Sequence, residues 1–169
     1  DVRIEEYIEM IRLKTGVLLA TALKLGAITA KASKEDIDNL YSFGLNIGIA
    51  FQLQDDILDC WSNLEDFGKV TGTDIADNKK TFLYLKALET GSKEEREELL
   101  YLYSNPVETQ TKQERVKAIY EKLNIRSISK DLMNIYNEKA KYSLEKIAVK
   151  DDNKTNLIKF ADKLMHRNK

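Results

Sequence analysis

The chain has 169 residues, of which 43% are hydrophobic and 33% charged, a balance typical of a soluble helical protein with one core. The net charge of -1 gives no overall attraction to nucleic acid or an anionic membrane, and no apolar run is long enough for stable membrane insertion. A single cysteine, Cys60, excludes an internal disulfide and favours a reducing compartment, so we expect a cytoplasmic protein. We predict one all-α region over residues 1–169.

The first element is a long amphipathic helix, predicted from about Ile4 to Lys31 by apolar residues at three- and four-residue intervals. Lys14-Thr15-Gly16, near its middle, favours a local kink. A glycine weakens a helix by about 1 kcal/mol, and Thr15 can bond back to the preceding turn. Lys14 by itself is typical of a lysine at the rim of a buried face.

A second long helix is predicted from a capping signature at Ser33 to about Trp61. Its middle is apolar nearly all round, which is typical of a helix at the centre of a bundle. Gly44 and Gly48 predict a close approach to its backbone, either by a neighbouring helix or by an elongated ligand.

Three carboxylates interrupt this apolar helix, in the sequence D-D-x-x-D from Asp55 through Asp56 to Asp59. Asp55 and Asp59 are four residues apart, and Gln52 precedes Asp55 by three, so all three share one helix face. Like charges repel most where water is scarce. A bound divalent cation would relieve that repulsion, and oxygen ligands favour Mg²⁺ over zinc or copper. Taken alone, the triplet is also typical of an acidic surface patch.

A polar, glycine-punctuated loop is predicted over Asn63 to Asp74, and its place directly after the acidic turn makes it a candidate lid. The next helix is predicted to open at Asp77-Asn78-Lys79-Lys80-Thr81. Lys69 and Lys79 thus place two cations after the carboxylates. Carboxylates that hold metal ions and lysines that meet anionic oxygens are the parts that a diphosphate site requires, although a single surface lysine needs no such role.

Later helices are predicted from capping signatures at Ser92 and Thr111, and over about Ser127 to Val149 and Lys154 to Arg167. They carry no second acidic motif, so we interpret them as scaffold. We interpret His166, the one histidine, as a solvated residue rather than a catalyst. The elements together predict an all-α helical bundle.

Several spaced motifs follow one another in the first half of the chain: Lys14-Thr15, Phe51-Gln52-x-x-Asp55-Asp56-x-x-Asp59, Gly68-Lys69, Gly72-Thr73-Asp74-Ile75 and Asn78-Lys79-Lys80-Thr81. Together they resemble the second aspartate-rich region of the trans-isoprenyl diphosphate synthases, the polyprenyl synthetases that make farnesyl, geranylgeranyl and longer diphosphates. The likeness is dense from about residue 10 to 90. It implies the C-terminal part of the all-α isoprenoid synthase fold.

The resemblance implies a Mg²⁺-dependent prenyltransferase that condenses an allylic diphosphate with isopentenyl diphosphate. Asp55 and Asp59 would then hold Mg²⁺ on the allylic diphosphate. Asp56 would belong to this metal site as a partner of the ligands or through a water. Asp74 would orient a lysine or a metal-bound water.

The resemblance also assigns roles to cationic and polar residues. Lys14, Lys69 and Lys79 would bind the diphosphate and stabilise it as it departs. Thr15 and Gln52 would lie beside the allylic carbon and stabilise the developing cation. Metal ions and lysines suit a departing anion, and a dry apolar cavity protects a cation.

The chain departs from the family in one respect. No second D-D-x-x-D occurs, and the arginines that accompany the family's first motif are missing. Because the chain also begins at Asp1 rather than Met, we expect a C-terminal piece of a synthase that is inactive by itself. Without the preceding helices, apolar faces of the first two helices would be exposed, so we expect a homo-oligomer. Two alternatives stay open: a terpene cyclase or squalene/phytoene-type synthase, and a non-catalytic helical partner subunit.

Overall fold

The regular elements are helices throughout the residues that the computed structural model describes, 2–62 and 71–165, which confirms the all-α prediction. A π-helical turn, Arg12–Gly16, joins the first two of them. The α-helices are α1 (Ile4–Ile11), α2 (Val17–Thr29), α3 (Lys34–Trp61), α4 (Thr73–Ala76), α5 (Phe82–Thr90), α6 (Lys93–Ser104), α7 (Thr109–Lys122), α8 (Ile125–Glu145) and α9 (Asp151–Met165).

The irregularity predicted at Lys14-Thr15-Gly16 is confirmed, since the π-helical turn covers these residues. A π-turn inserts one extra residue into the helix and is one of the few identifiable causes of a helix bend. It shifts the side-chain positions of α2 relative to α1, so the two helices do not continue one regular face.

The glycines of the π-turn and of α3 lie where backbones touch. A Cβ on Gly48 would be 2.6 Å from the Cα of Gly16, and a Cβ on Gly44 would be 2.7 Å from the Cα of Ala20. Both distances are too short for any side chain. Helix packing therefore accounts for Gly44 and Gly48, as the first of the two predicted alternatives requires.

The N-terminus of α3 is capped as the sequence predicts. The Asp36 amide donates to the Ser33 hydroxyl oxygen at 3.1 Å, and that hydroxyl donates to the Asp36 carboxylate at 2.9 Å. Further along, Phe43, Ile47 and Leu53 are each only 1% exposed. The apolar middle of the predicted helix is thus a buried part of the core.

Two compact units divide the described chain, and the division falls inside α3. One consists of residues 2–7 and 55–131 apart from 63–70, and the other of residues 8–54 and 132–165. The single all-α region over residues 1–169 therefore stays a prediction. None of the described helices is both long and apolar enough to cross a membrane.

Two predicted helix starts are wrong. The helix expected to open at Asp77 begins at Phe82, because Asn78 adopts a left-handed backbone with φ of 56° that breaks the helix. The helix expected to start at Thr111 begins at Thr109, because the Glu108 carboxylate caps it. This carboxylate accepts hydrogen bonds from the amides of Gln110 at 2.9 Å and Thr111 at 2.7 Å.

The other helix boundaries follow the sequence more closely. The Ser92 capping box is confirmed, with reciprocal bonds between Ser92 and Glu95. Helix α8 spans Ile125–Glu145 and α9 spans Asp151–Met165, so their predicted bounds are shifted by two to four residues. The expected end at Arg167, and His166 with it, lie outside the described residues.

Candidate functional site

Asp56, the second carboxylate of the acidic turn, is tied to α1. Its side chain accepts a hydrogen bond from the Tyr7 hydroxyl, and both residues are only 4% exposed. Burial, and next the negative charge of Asp56, raise the pKa of Tyr7, so the phenol stays neutral and can donate. Asp56 therefore lies on a different face of α3 from Asp55 and Asp59, and Tyr7 is its structural partner there.

Asp59 anchors the beginning of α4. Its carboxylate accepts hydrogen bonds from the Thr73 hydroxyl at 2.7 Å, from the Thr73 amide at 3.3 Å and from the Asp74 amide at 3.0 Å. The Gly72 amide also donates to the Asp59 carbonyl at 2.6 Å. A buried carboxylate at the start of a helical turn satisfies amides that have no helical partner. Asp59 thus holds the chain that returns from the predicted loop against the acidic turn.

Asp74 and Lys79 form an ion pair, with 2.7 Å between the carboxylate and the ammonium. The hydrogen bond to Asp74 raises the pKa of Lys79. Burial raises the pKa of Asp74, although Lys79 opposes this change. The Lys79 side chain is 54% exposed, so its ammonium remains accessible to an anion. Lys69, the other predicted diphosphate ligand of this region, lies outside the described residues.

The carboxylates of the acidic turn fit a cation that is shared with a phosphate ligand. Among the described residues, no group of three or more histidine, cysteine, aspartate or glutamate side chains is placed to hold a metal ion. A cage made of Asp55, Asp56 and Asp59 together therefore does not fit. Magnesium, however, is usually bound by one or two carboxylates with waters and substrate phosphates. The half-buried Asp55 and the neighbouring Asp59 carry suitable oxygens for that arrangement, and their roles stay predictions.

Thr15 and Gln52, two of the predicted site residues, lie in the unit formed by residues 8–54 and 132–165. The Thr15 hydroxyl on the π-helical turn donates to the Gln52 amide oxygen on α3 at 3.3 Å, and both side chains are half-buried. This bond replaces the predicted one from Thr15 to the preceding turn of its own helix. Lys14, the neighbouring residue, is exposed. Short π-helical insertions occur often at functional sites.

The described helices and the acidic turn define an all-α protein with a candidate site for a cation and an anion. A family model described as polyprenyl synthetase matches residues 1–123. The chain therefore belongs to the polyprenyl synthetase family. This membership favours the elongating synthases over the terpene cyclases and squalene/phytoene-type synthases.

Individual relatives and solved structures support the family membership. Over 100 residues, covering 59% of this chain and 31% of the relative, the sequence is 48% identical to a short chain isoprenyl diphosphate synthase from Methanothermobacter thermautotrophicus. A crystal structure of a geranylgeranyl pyrophosphate synthase superposes with a TM-score of 0.90 at 38% identity, covering 99% of this chain and 52% of that one. Polyprenyl synthase from Caulobacter crescentus, solved with calcium and isoprenyl diphosphate, gives 0.88 at 29% identity, covering 99% and 51%. The chain thus spans about half the length of these solved structures.

Sequence reasoning missed several contacts of the site. Tyr7 lies in an apolar helix face, where a tyrosine is typical of core packing, and nothing local connects it with Asp56. Thr73 stands in the Gly72-Thr73-Asp74-Ile75 motif, but the motif does not predict the 2.7 Å bond from its hydroxyl to Asp59. A hydroxyl directly after Gly72, at the start of a helical turn, was the one local signal for that bond.

Proposed function

We propose that this chain supplies the allylic-diphosphate half of a trans-isoprenyl diphosphate synthase. The enzyme would be a Mg²⁺-dependent prenyltransferase that condenses an allylic diphosphate with isopentenyl diphosphate. The observation that carries the proposal is the connected set of Asp59, Asp74 and Lys79, in which one carboxylate orders a turn and a second holds an accessible ammonium beside it. Family membership supplies the independent support.

The negative diphosphate would be bound from two sides. Asp55 and Asp59 would hold Mg²⁺, which when bound neutralises charge on phosphate oxygens. Lys79, and with it Lys69 and Lys14, would donate to the same anion. A lysine ammonium is a mobile point charge suited to phosphate oxygens whose charge grows as the bond to carbon breaks.

The allylic carbon would lie beside Thr15 and Gln52. Both side chains present oxygen atoms at a half-buried position, and a 3.3 Å hydrogen bond joins them. Oxygen dipoles that are already oriented stabilise positive charge without reorganisation during the reaction. The apolar surroundings in α3, such as the buried Leu53, would keep water away from a reactive cation.

The chain by itself is proposed to bind but not to turn over. Its sequence contains one D-D-x-x-D, and it spans about half of the solved relatives. Condensation of the two diphosphates by the purified 169-residue chain would contradict this part of the proposal. The free, buried thiol of Cys60 fits a reducing compartment, and we propose a cytoplasmic location.

Thermal unfolding with ligand tests the proposal. Mg²⁺ and an allylic diphosphate added together should raise the melting temperature, because a ligand that binds only the folded chain stabilises it. Asp55→Asn should abolish the rise. Asp38→Asn, which changes an exposed carboxylate on the same helix, is the matched control and should retain it. An equal rise in Asp55→Asn and wild type would refute the proposed site.

A further inference from the structure

The segment from Gly72 to Lys79, here called the lysine turn, cannot hold its own shape. Its helix α4 has only four residues, and a single helical turn is unstable without tertiary contacts. Residues with a left-handed backbone bracket it, Gly72 with φ of 77° and Asn78 with φ of 56°. The placement of Lys79 at its end therefore depends on side chains from elsewhere in this unit.

Two adjacent residues of α7 hold both ends of the lysine turn. Gln113 donates through its amide nitrogen to the Gly72 carbonyl at 2.9 Å. Lys112 donates through its ammonium to the Asn78 side-chain oxygen at 2.5 Å and, more weakly, to the Ala76 carbonyl at 3.4 Å. Helix α7 carries none of the spaced motifs between Lys14 and Thr81, and beyond its capping signature at Thr111 the sequence indicates only a scaffold.

Lys112 is an unusual residue for a scaffold helix. It is only 4% exposed, and it forms no ion pair among the described residues. Burial lowers its pKa. Burying an ammonium is costly unless its donors are satisfied. Here the two oxygens of the lysine turn and the ring of Tyr103, 4.9 Å away, provide the compensation. An apolar side chain would fill the same space at lower cost, so the cation indicates a specific task.

We propose that Lys112, supported by Gln113, is a positioning residue that fixes the left-handed backbone at Asn78 and thereby places the Lys79 ammonium for an anionic ligand. Within the lysine turn, Asp74 holds Lys79. The Lys79 amide donates to the Asp74 carbonyl at 2.9 Å, and the Lys79 ammonium lies 2.7 Å from the Asp74 carboxylate. The inference rests on the proposed function of Lys79 in diphosphate binding.

Amide hydrogen exchange in the full chain tests the positioning role without any ligand. In Lys112→Met, which keeps the length of the side chain and removes the ammonium, the Lys79 amide should exchange about tenfold faster than in wild type. Lys117→Met on the same helix is the matched control and should leave that rate unchanged. Unchanged exchange at Lys79 in Lys112→Met would overturn the proposal.

Asn78→Gly gives the same test where Lys112→Met does not fold. Glycine adopts the left-handed backbone without strain, and the substitution removes the side chain whose oxygen Lys112 binds. The Lys79 amide should again exchange about tenfold faster. Wild-type exchange in Asn78→Gly would show that the contact does not fix the turn.

Calorimetric binding of inorganic pyrophosphate in the presence of Mg²⁺ tests the consequence. Lys112→Met and Lys79→Met should each weaken binding about tenfold. The double variant should be no weaker than Lys79→Met alone, because Lys112 acts through Lys79. Additive losses would overturn the proposal. Absence of pyrophosphate binding by the wild-type chain would contradict the proposed function instead, and the exchange measurement would still decide the role of Lys112.

Discussion

Replacing Gly48 by alanine probes the closest backbone contact in the unit that carries Thr15 and Gln52. The added Cβ would lie 2.6 Å from the Cα and 3.1 Å from the amide nitrogen of Gly16. Both are backbone atoms of the π-helical turn, so no side chain can rotate away. The turn itself must shift, and Thr15 must move with it.

The expected cost follows from two opposing effects. Overpacking of this kind destabilises by about 1 to 3 kcal/mol, and a contact with rigid backbone belongs at the upper end. Alanine in place of glycine within a helix returns about 1 kcal/mol through propensity. Gly48→Ala should therefore lower the free energy of unfolding by about 2 kcal/mol.

Chemical denaturation of two variants measures this balance. Gly26 in α2 is the matched control, because a Cβ there would have no atom within 4 Å. Gly26→Ala should raise the free energy of unfolding by about 0.5 to 1 kcal/mol through propensity alone. If both variants stabilise the chain equally, the backbone contact between α3 and the π-helical turn does not exist as described.

Three further outcomes are expected. Tyr7→Phe removes a buried hydrogen bond to the Asp56 carboxylate and should lower the free energy of unfolding by about 1.5 to 3 kcal/mol; a loss below about 0.5 kcal/mol in denaturant titrations would contradict that bond. Burial raises the pKa of Tyr120 well above its ordinary 10.0, so the unfolded chain ionises first. The contribution of Tyr120 to the free energy of unfolding should thus be fully present below about pH 10. Above that pH the free energy of unfolding should fall by up to about 1.4 kcal/mol per pH unit for this tyrosine, and Tyr120→Phe should flatten the measured slope. Leu18 and Leu25 are 72% and 59% exposed on α2, so the chain should self-associate in sedimentation and Leu18→Lys should weaken the association; a monodisperse wild-type monomer would contradict this.

The long helices could be predicted from sequence because their signals are local. The capping residues at Ser33 and Ser92 act on amides two or three positions away, and both caps are confirmed. The irregular turn at Thr15 was likewise predicted from the residues that form it. Its bonding was not, because the Thr15 hydroxyl donates to Gln52, which is 37 residues distant in the sequence.

The shape of the chain from Gly72 to Lys79 could not be predicted. Its shape depends on Asn78, whose left-handed backbone is held by Lys112 from 34 residues away. Local sequence rules instead favour a helix that opens at Asp77 and includes Lys79. The same limit applies to Asp56, since its partner Tyr7 is 49 residues away. Sequence motifs indicated which residues belong to the candidate site, and the contacts between distant elements determine how each is oriented.

The acidic turn of α3 is proposed to bind a divalent cation together with a diphosphate. Paramagnetic broadening of amide resonances by Mn²⁺, a substitute for Mg²⁺, tests it most directly. In the presence of pyrophosphate, low Mn²⁺ should broaden the resonances of Asp55 and Asp59 before others, and Asp55→Asn should remove the effect. Broadening that is centred on other carboxylates, or that persists unchanged in Asp55→Asn, would contradict the account.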